Sequence, residues 1–135
     1  MTTRRGTVAL LAGALLLGLT SAGTAAPAAP SPGEQYKRTE LYFGGNLQNG
    51  TPITPAHFES FLDAEVTPAF PDGLTWIQAH GQWKGGKEDS YVLILLYPQS
   101  DRAANREIEE IRRDYKSQFG QQSVLRADST DKVSF

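Results

Sequence analysis

Tyr91 to Tyr97 (Tyr-Val-Leu-Ile-Leu-Leu-Tyr) is a run of seven residues without a charged or amide side chain. Its β-branched and aromatic content reads as a strand. A strand covered on one side only alternates apolar with polar residues. This one does not alternate, so both of its faces call for cover. Leaving one row wet would forgo roughly 1.5–3 kcal/mol per large side chain. The chain therefore needs a sheet with helices on one face and something else on the other.

The flanking segments supply the rest of that layout. Arg38 to Gly44 alternates, with Thr39, Leu41 and Phe43 on one face and Glu40 and Tyr42 on the other, and predicts a first strand. Gly44, Gly45, Asn49 and Gly50 break it. Gly45 and Gly50 have the spacing of a phosphate loop, but Thr51-Pro52 stands where Lys and a hydroxyl belong. Thr54-Pro55 is a helix start, followed by Phe58, Phe61, Leu62 and Val66 at spacings of three and four. Thr67-Pro68 stops that helix. Leu74 to Trp83 predicts a second strand, and Lys84 to Asp89, centred on Gly85-Gly86, a hairpin loop. After the Tyr91 strand, Ser100 or Asp101 caps a second helix whose apolar stripe is Ala104, Ile108, Ile111, Tyr115 and Phe119, with Gly120 at its end. Ser123 to Ala127 predicts a fourth strand, and Lys132 to Phe135 an edge piece.

The order is βαββαβ. With right-handed crossovers it leads to a ferredoxin-like α+β fold, a four-stranded antiparallel sheet with both helices on one face and the first and third strands central.

The N-terminal stretch reads as an address. Arg4 and Arg5 precede an apolar run from Val8 to Leu19, followed by small residues. That run is shorter than the roughly 20 residues of a membrane span and has the parts of a secretory signal. We read residues 1–28 as signal peptide, 29–35 as flexible leader and 36–135 as one α+β domain. Cleavage after Ala25 or Ala28 suits the small-residue rule. The expected location is secreted or periplasmic, with no membrane attachment after cleavage. The chain has no cysteine, which excludes a thiol-linked lipid anchor and leaves stability to packing alone. Without Arg4 and Arg5, 11 of the 13 basic residues remain against 15 acidic ones, a net charge of −4. Basic residues are interleaved with acids, so nucleic acid is not an expected partner.

The second sheet face yields the candidate site. Setting Val92, Ile94 and Leu96 toward the helices turns Tyr91, Leu93, Leu95 and Tyr97 away from them. A hairpin register pairing Trp83 with Ser90 then sets Ile77, Ala79 and Gly81 on the helix side. Trp76, Gln78, His80 and Gln82 fall beside Tyr97, Leu95, Leu93 and Tyr91. A one-residue slip would exchange the faces. On this register the ligand-binding candidates are Glu40, Tyr42, Trp76, Gln78, His80 and Gln82 around Tyr91, Leu93 and Leu95. Such an aromatic-rich patch suits a homodimer seam or a small apolar ligand.

His80 is the candidate for acid–base chemistry, since its pKa lies near neutrality. On this register Glu40 and His80 stand about 10 Å apart, at two strand spacings. His57 falls in the first helical turn. Two histidines and no cysteine cannot form a structural zinc tetrad, and no acidic spacing resembles a calcium loop. No cofactor is expected.

The chain resembles a family of bacterial exported proteins, domain of unknown function number 3574. The matching residues are Arg38 to Gly44, Val66-Thr67-Pro68, Phe70 to Thr75, Gly81-Gln82-Trp83, Ile108 through Phe119, Ser123 to Arg126 and Val133-Ser134-Phe135. The resemblance implies an exported domain of this extent and carries no catalytic residue with it. The expected function is a non-catalytic dimeric or small-ligand-binding protein. The alternatives are a cofactor-free enzyme, oxygenase- or isomerase-like, acting on a small apolar or aromatic substrate, and an envelope protein-interaction module.

Overall fold

Two short polar side chains start the two helices. In the computed structural model, which describes residues 33–135, Thr54 Oγ1 accepts the His57 N–H at 3.3 Å and opens α1 (Pro55–Phe61). The Asp101 carboxylate accepts the N–H groups of Ala103 and Ala104 and opens α2 (Ala104–Phe119), which ends at Gly120. The strands are β1 (Glu34–Gly44), β2 (Thr75–Trp83), β3 (Gly86–Pro98) and β4 (Leu125–Val133). The sheet order is β2-β3-β1-β4, with every neighbouring pair antiparallel. This is the ferredoxin-like α+β layout expected from the element order, with β1 and β3 central. The expected signal peptide lies outside the described residues.

The α2 stripe packs as the sequence predicts: Ala104, Ile108, Ile111, Tyr115 and Phe119 are all buried. The first helix departs from expectation beyond Phe61. Leu62–Val66 forms a π-helical turn, in which the Thr67 N–H reaches back to Leu62 O at 2.8 Å. The wider turn lets consecutive Phe61 and Leu62 both enter the core along with Phe58 and Val66. Opposite this layer, Arg126 ties β4 to α2 through Glu109 at 2.8 Å and holds Asp128 at 2.9 Å.

The face assignment is the main correction. Tyr91, Leu93, Leu95 and Tyr97 point toward the helices, and Val92, Ile94 and Leu96 point away. The register shows why. Leu41 and Phe43 lie under the helices, and their cross-strand partners are Leu93 and Tyr91. Partners opposite one another share a face, so β1 commits β3. Tyr91 stacks on Phe58 with centroids 4.3 Å apart, and Phe43 meets Tyr115 edge-on at 4.5 Å. Both tyrosine hydroxyls find acceptors, Tyr91 on Ile53 O at 2.5 Å and Tyr115 on Gly44 O at 2.8 Å. The smaller set, Val92, Ile94 and Leu96, is left to the open face.

The hairpin register is also corrected. Trp83 pairs with Gly86 rather than Ser90, so the loop is the two residues Lys84 and Gly85. Both have positive φ, 48° and 84°, as the tight turn matched to strand twist requires. The slide of four residues carries Lys87, Glu88 and Asp89 into the strand. It also sets Trp76 opposite Leu93 and Gln78 opposite Tyr91, on the helix side.

Two further strands are longer than the sequence pattern suggests. β1 begins at Glu34, within the expected leader, and β4 runs unbroken from Leu125 to Val133. Their outer halves pair Glu34 with Val133 and Arg38 with Ser129. Main-chain hydrogen bonds make this ladder, and its polar side chains leave no apolar period to read.

Replacing Leu93, fully buried beneath the helices, with alanine is expected to cost about 2–5 kcal/mol in urea unfolding. A cost below about 1 kcal/mol would contradict the face assignment.

Candidate functional site

The sheet face away from the helices carries an apolar field with a polar chain through it. Ile77 is 50% exposed, Leu96 40%, Leu125 57% and Trp83 54%, around the half-buried Val92 and Ile94. Even positions of β1 add Arg38, Glu40 and Tyr42. The i, i+2 spacing sets these three in a row on one face. Arg38 Nη2 donates to Glu40 Oε1 at 2.5 Å, and the Tyr42 hydroxyl donates to Oε2 of the same carboxylate at 2.5 Å. Arg38 Nη1 also lies 3.8 Å from Asp131.

These bonds set the local protonation. The Tyr42 hydroxyl, and after it the Arg38 guanidinium, hold the Glu40 carboxyl below its ordinary range. Tyr42 is pushed up by the same hydrogen bond, because losing its proton would set two anions side by side. At neutral pH the row is one cation, one anion and one neutral phenol.

Two clefts border this face. The smaller, about 310 Å³, lies between the loop of residues 69–74 and the end of β3, with Tyr36 and Phe135 on its walls. The larger, about 530 Å³, opens at the hairpin end of the sheet, between Trp83 and Gln82 on one side and Tyr42 and Leu125 on the other.

The structure divides the sequence-predicted constellation. Glu40 and Tyr42 lie on the open face. Tyr91, Leu93 and Leu95 are at most 1% exposed, sealed under the helices. Trp76 packs on the core edge, 5.5 Å from Phe58. Gln78, His80 and Gln82 follow it on the helix-side face, where β2 overhangs and is exposed. His80 and Glu40 thus occupy opposite faces, not one face two strands apart. His80 pairs with Asp89 across the hairpin at 2.9 Å, with its side chain 91% exposed and outside both clefts. Of the predicted set, Tyr42 and Gln82 meet at the larger cleft. His57 is exposed at the start of α1. Among the described residues, no three His, Cys, Asp or Glu side chains converge as metal ligands.

Sequence reasoning passed over Trp83, Leu125, Ile77 and Ile94. A signal for Trp83 existed: Trp83-Lys84-Gly85-Gly86 has glycine where a two-residue hairpin needs it. Taking the turn there fixes the true register, and with β3 oriented by β1 that register sets Trp83 on the open face.

A family model described as "Protein of unknown function (DUF3574)" matches residues 38–135. A phage SAM lyase in complex with S-methyl-5′-thioadenosine is similar in structure, with a TM-score of 0.56 at 12% identity, over 82% of this chain and 97% of that one. A phage SAM lyase in its apo state gives 0.49 at 10% identity, over 82% and 98%. CPII, a nitrogen regulatory PII-like protein from Thiomonas intermedia K12 bound to ADP, AMP and bicarbonate, gives 0.43 at 13% identity, over 76% and 98%. The first of these likenesses is one of fold alone. No curated protein matches the chain.

The Glu40 row carries a pH prediction. A depressed carboxyl contributes stability that is present above its unfolded value, about 4.3, and is lost as pH falls through the folded value. Tyr42→Phe removes the larger cause and is expected to raise the Glu40 pKa toward that ordinary value, read by carboxyl NMR titration. The variant's acid-side stability loss should also begin at higher pH than in the parent. An unmoved Glu40 titration would show that the hydroxyl does not bind the carboxylate.

Proposed function

The chain belongs to the DUF3574 family of unknown function, and we propose that it acts as a non-catalytic binding domain, a homodimer with two open sheet faces packed together. The observation that carries this reading is the apolar centre of the open face, Val92, Ile94 and Leu96 on β3 flanked by Ile77 and Leu125. Isolated exposed apolar side chains are ordinary, but a contiguous field of them on a sheet marks an interaction surface.

The dimensions suit a second copy. Four strands at about 4.8 Å spacing and nine residues at about 3.3 Å give a face of roughly 19 by 30 Å. Allowing for side-chain relief, that approaches the ~800 Å² per partner of a standard interface. The charges at the centre of this face are matched within one chain, Arg38 with Glu40 and Asp131. Burying matched charges leaves no lone ion, which keeps the desolvation cost down. A two-fold axis makes one patch serve both subunits.

Binding is favoured over catalysis because the acid–base groups that the sequence singled out are committed or remote. Glu40 holds Arg38 and Tyr42, and His80 lies outside both clefts. Export belongs to the same reading and rests on the signal-like stretch from Arg4 to Ala28.

Light scattering on the purified domain is expected to give twice the chain mass at micromolar concentration. Ile94→Asp should give a monomer with unchanged circular dichroism, since the side chain leaves the sheet away from the core. A parent that is strictly monomeric, or an Ile94→Asp protein that remains a dimer, would overturn the proposal.

A further inference from the structure

The larger cleft lies at the hairpin end, beyond the apolar centre of the open face, and has a different chemistry. Part of its floor is short of side chains: Gly81 on β2 lies near Ser90, and a Cβ added to it would meet Ser90 Oγ at 3.3 Å, while the Gln121 side chain covers Gly44 on β1. Trp83 stands at one wall, half exposed, with the Lys84 ammonium 5.7 Å from its ring centroid. Lys84 Nζ also donates to Gln122 Oε1 at 3.2 Å, joining the hairpin to the loop after α2 and closing one side. The rim is rich in amides. Asn46 and Gln48 make no side-chain hydrogen bond among the described residues, and neither does the Glu88 carboxylate.

We infer that this cleft binds a neutral saccharide, with one sugar ring lying on the Trp83 indole and its hydroxyls meeting the amides and Glu88. An aromatic face receives the apolar C–H face of a sugar ring. Amides both donate and accept, as vicinal hydroxyls do, and a carboxylate accepts from two of them. The lining charges, Lys84 and Glu88, offset each other, which disfavours phosphate or polyanion ligands. Aliphatic lining is limited to Leu125 and Ala127, too little for a lipid chain. The site goes beyond the dimer reading, because every lining residue comes from one chain.

The test uses the indole N–H resonances of Trp83 and Trp76 in ¹⁵N-labelled protein, titrated separately with maltotriose, cellotriose and tri-N-acetylchitotriose, with adenosine as a counter-probe. At least one trisaccharide is expected to shift Trp83 saturably with a Kd near or below about 1 mM, while Trp76 in the core edge stays put. Read by isothermal titration calorimetry, which does not depend on the indole probe, Trp83→Ala should weaken binding about tenfold or more, Trp83→Phe much less. Gly81→Val, which fills the floor without leaving strand conformation, should abolish it with circular dichroism unchanged. Light scattering of the same samples reads the oligomeric state independently, so failure of the dimer and failure of the site are told apart. The inference is overturned if no trisaccharide moves the Trp83 signal, if adenosine alone does, or if binding survives both Trp83→Ala and Gly81→Val.

Discussion

Tyr91 stacked on Phe58 is the contact from which the rest of this molecule follows. The rings are 4.3 Å apart and nearly parallel, at 9°, and the Tyr91 hydroxyl reaches the Ile53 carbonyl. That one placement anchors the start of α1 to the central strand and commits the odd positions of β3 to the core. Burial raises the pKa of this phenol, as it does that of Tyr115. Every apolar side chain at an even position of β3 is consequently available on the other face. The surface proposed for dimerisation exists because the larger set of side chains won the helix side.

The two faces divide the labour in a way their chemistry explains. Beneath the helices, each polar group in the aromatic core has a partner within reach, as with Thr39, which meets Tyr97 and Asp128. No buried side-chain nitrogen or oxygen among the described residues lacks one. On the open face, Arg38, Glu40 and Tyr42 satisfy one another in a row along β1. The polar interruption of an apolar sheet face is therefore self-contained, able to be covered without stranding a charge. Where the sheet outruns its helices, at the β2–β3 hairpin, polar side chains flank a floor of glycine and serine.

Much of this fold was legible in the sequence. The helix stripes Phe58, Phe61, Leu62, Val66 and Ala104 to Phe119 were readable because a helix repeats its burial locally. The Thr54 cap was readable because capping involves residues three apart. The β1 faces were legible because Thr39, Leu41 and Phe43 alternate cleanly with Glu40 and Tyr42. The candidate site was much less so. Of the residues singled out, Tyr42 and Gln82 reach the cleft, while Tyr91, Leu93 and Leu95 are sealed in the core and His80 stands on the opposite face from Glu40. The charged triplet Lys87-Glu88-Asp89 read as loop because charge in a strand signals exposure, and an overhanging ribbon is exposed on both faces.

By itself the sequence determined the order of elements, the caps, the helix stripes and the fact that the Tyr91 to Tyr97 strand is apolar on both sides. It did so because each of these is a local pattern, written within a few residues. The tertiary structure alone decided which side of that strand meets the helices. That choice depends on contacts between distant segments, Leu41 with Leu93 and Phe58 with Tyr91. A strand with two apolar faces carries no internal mark of which one turns inward; its neighbours supply it.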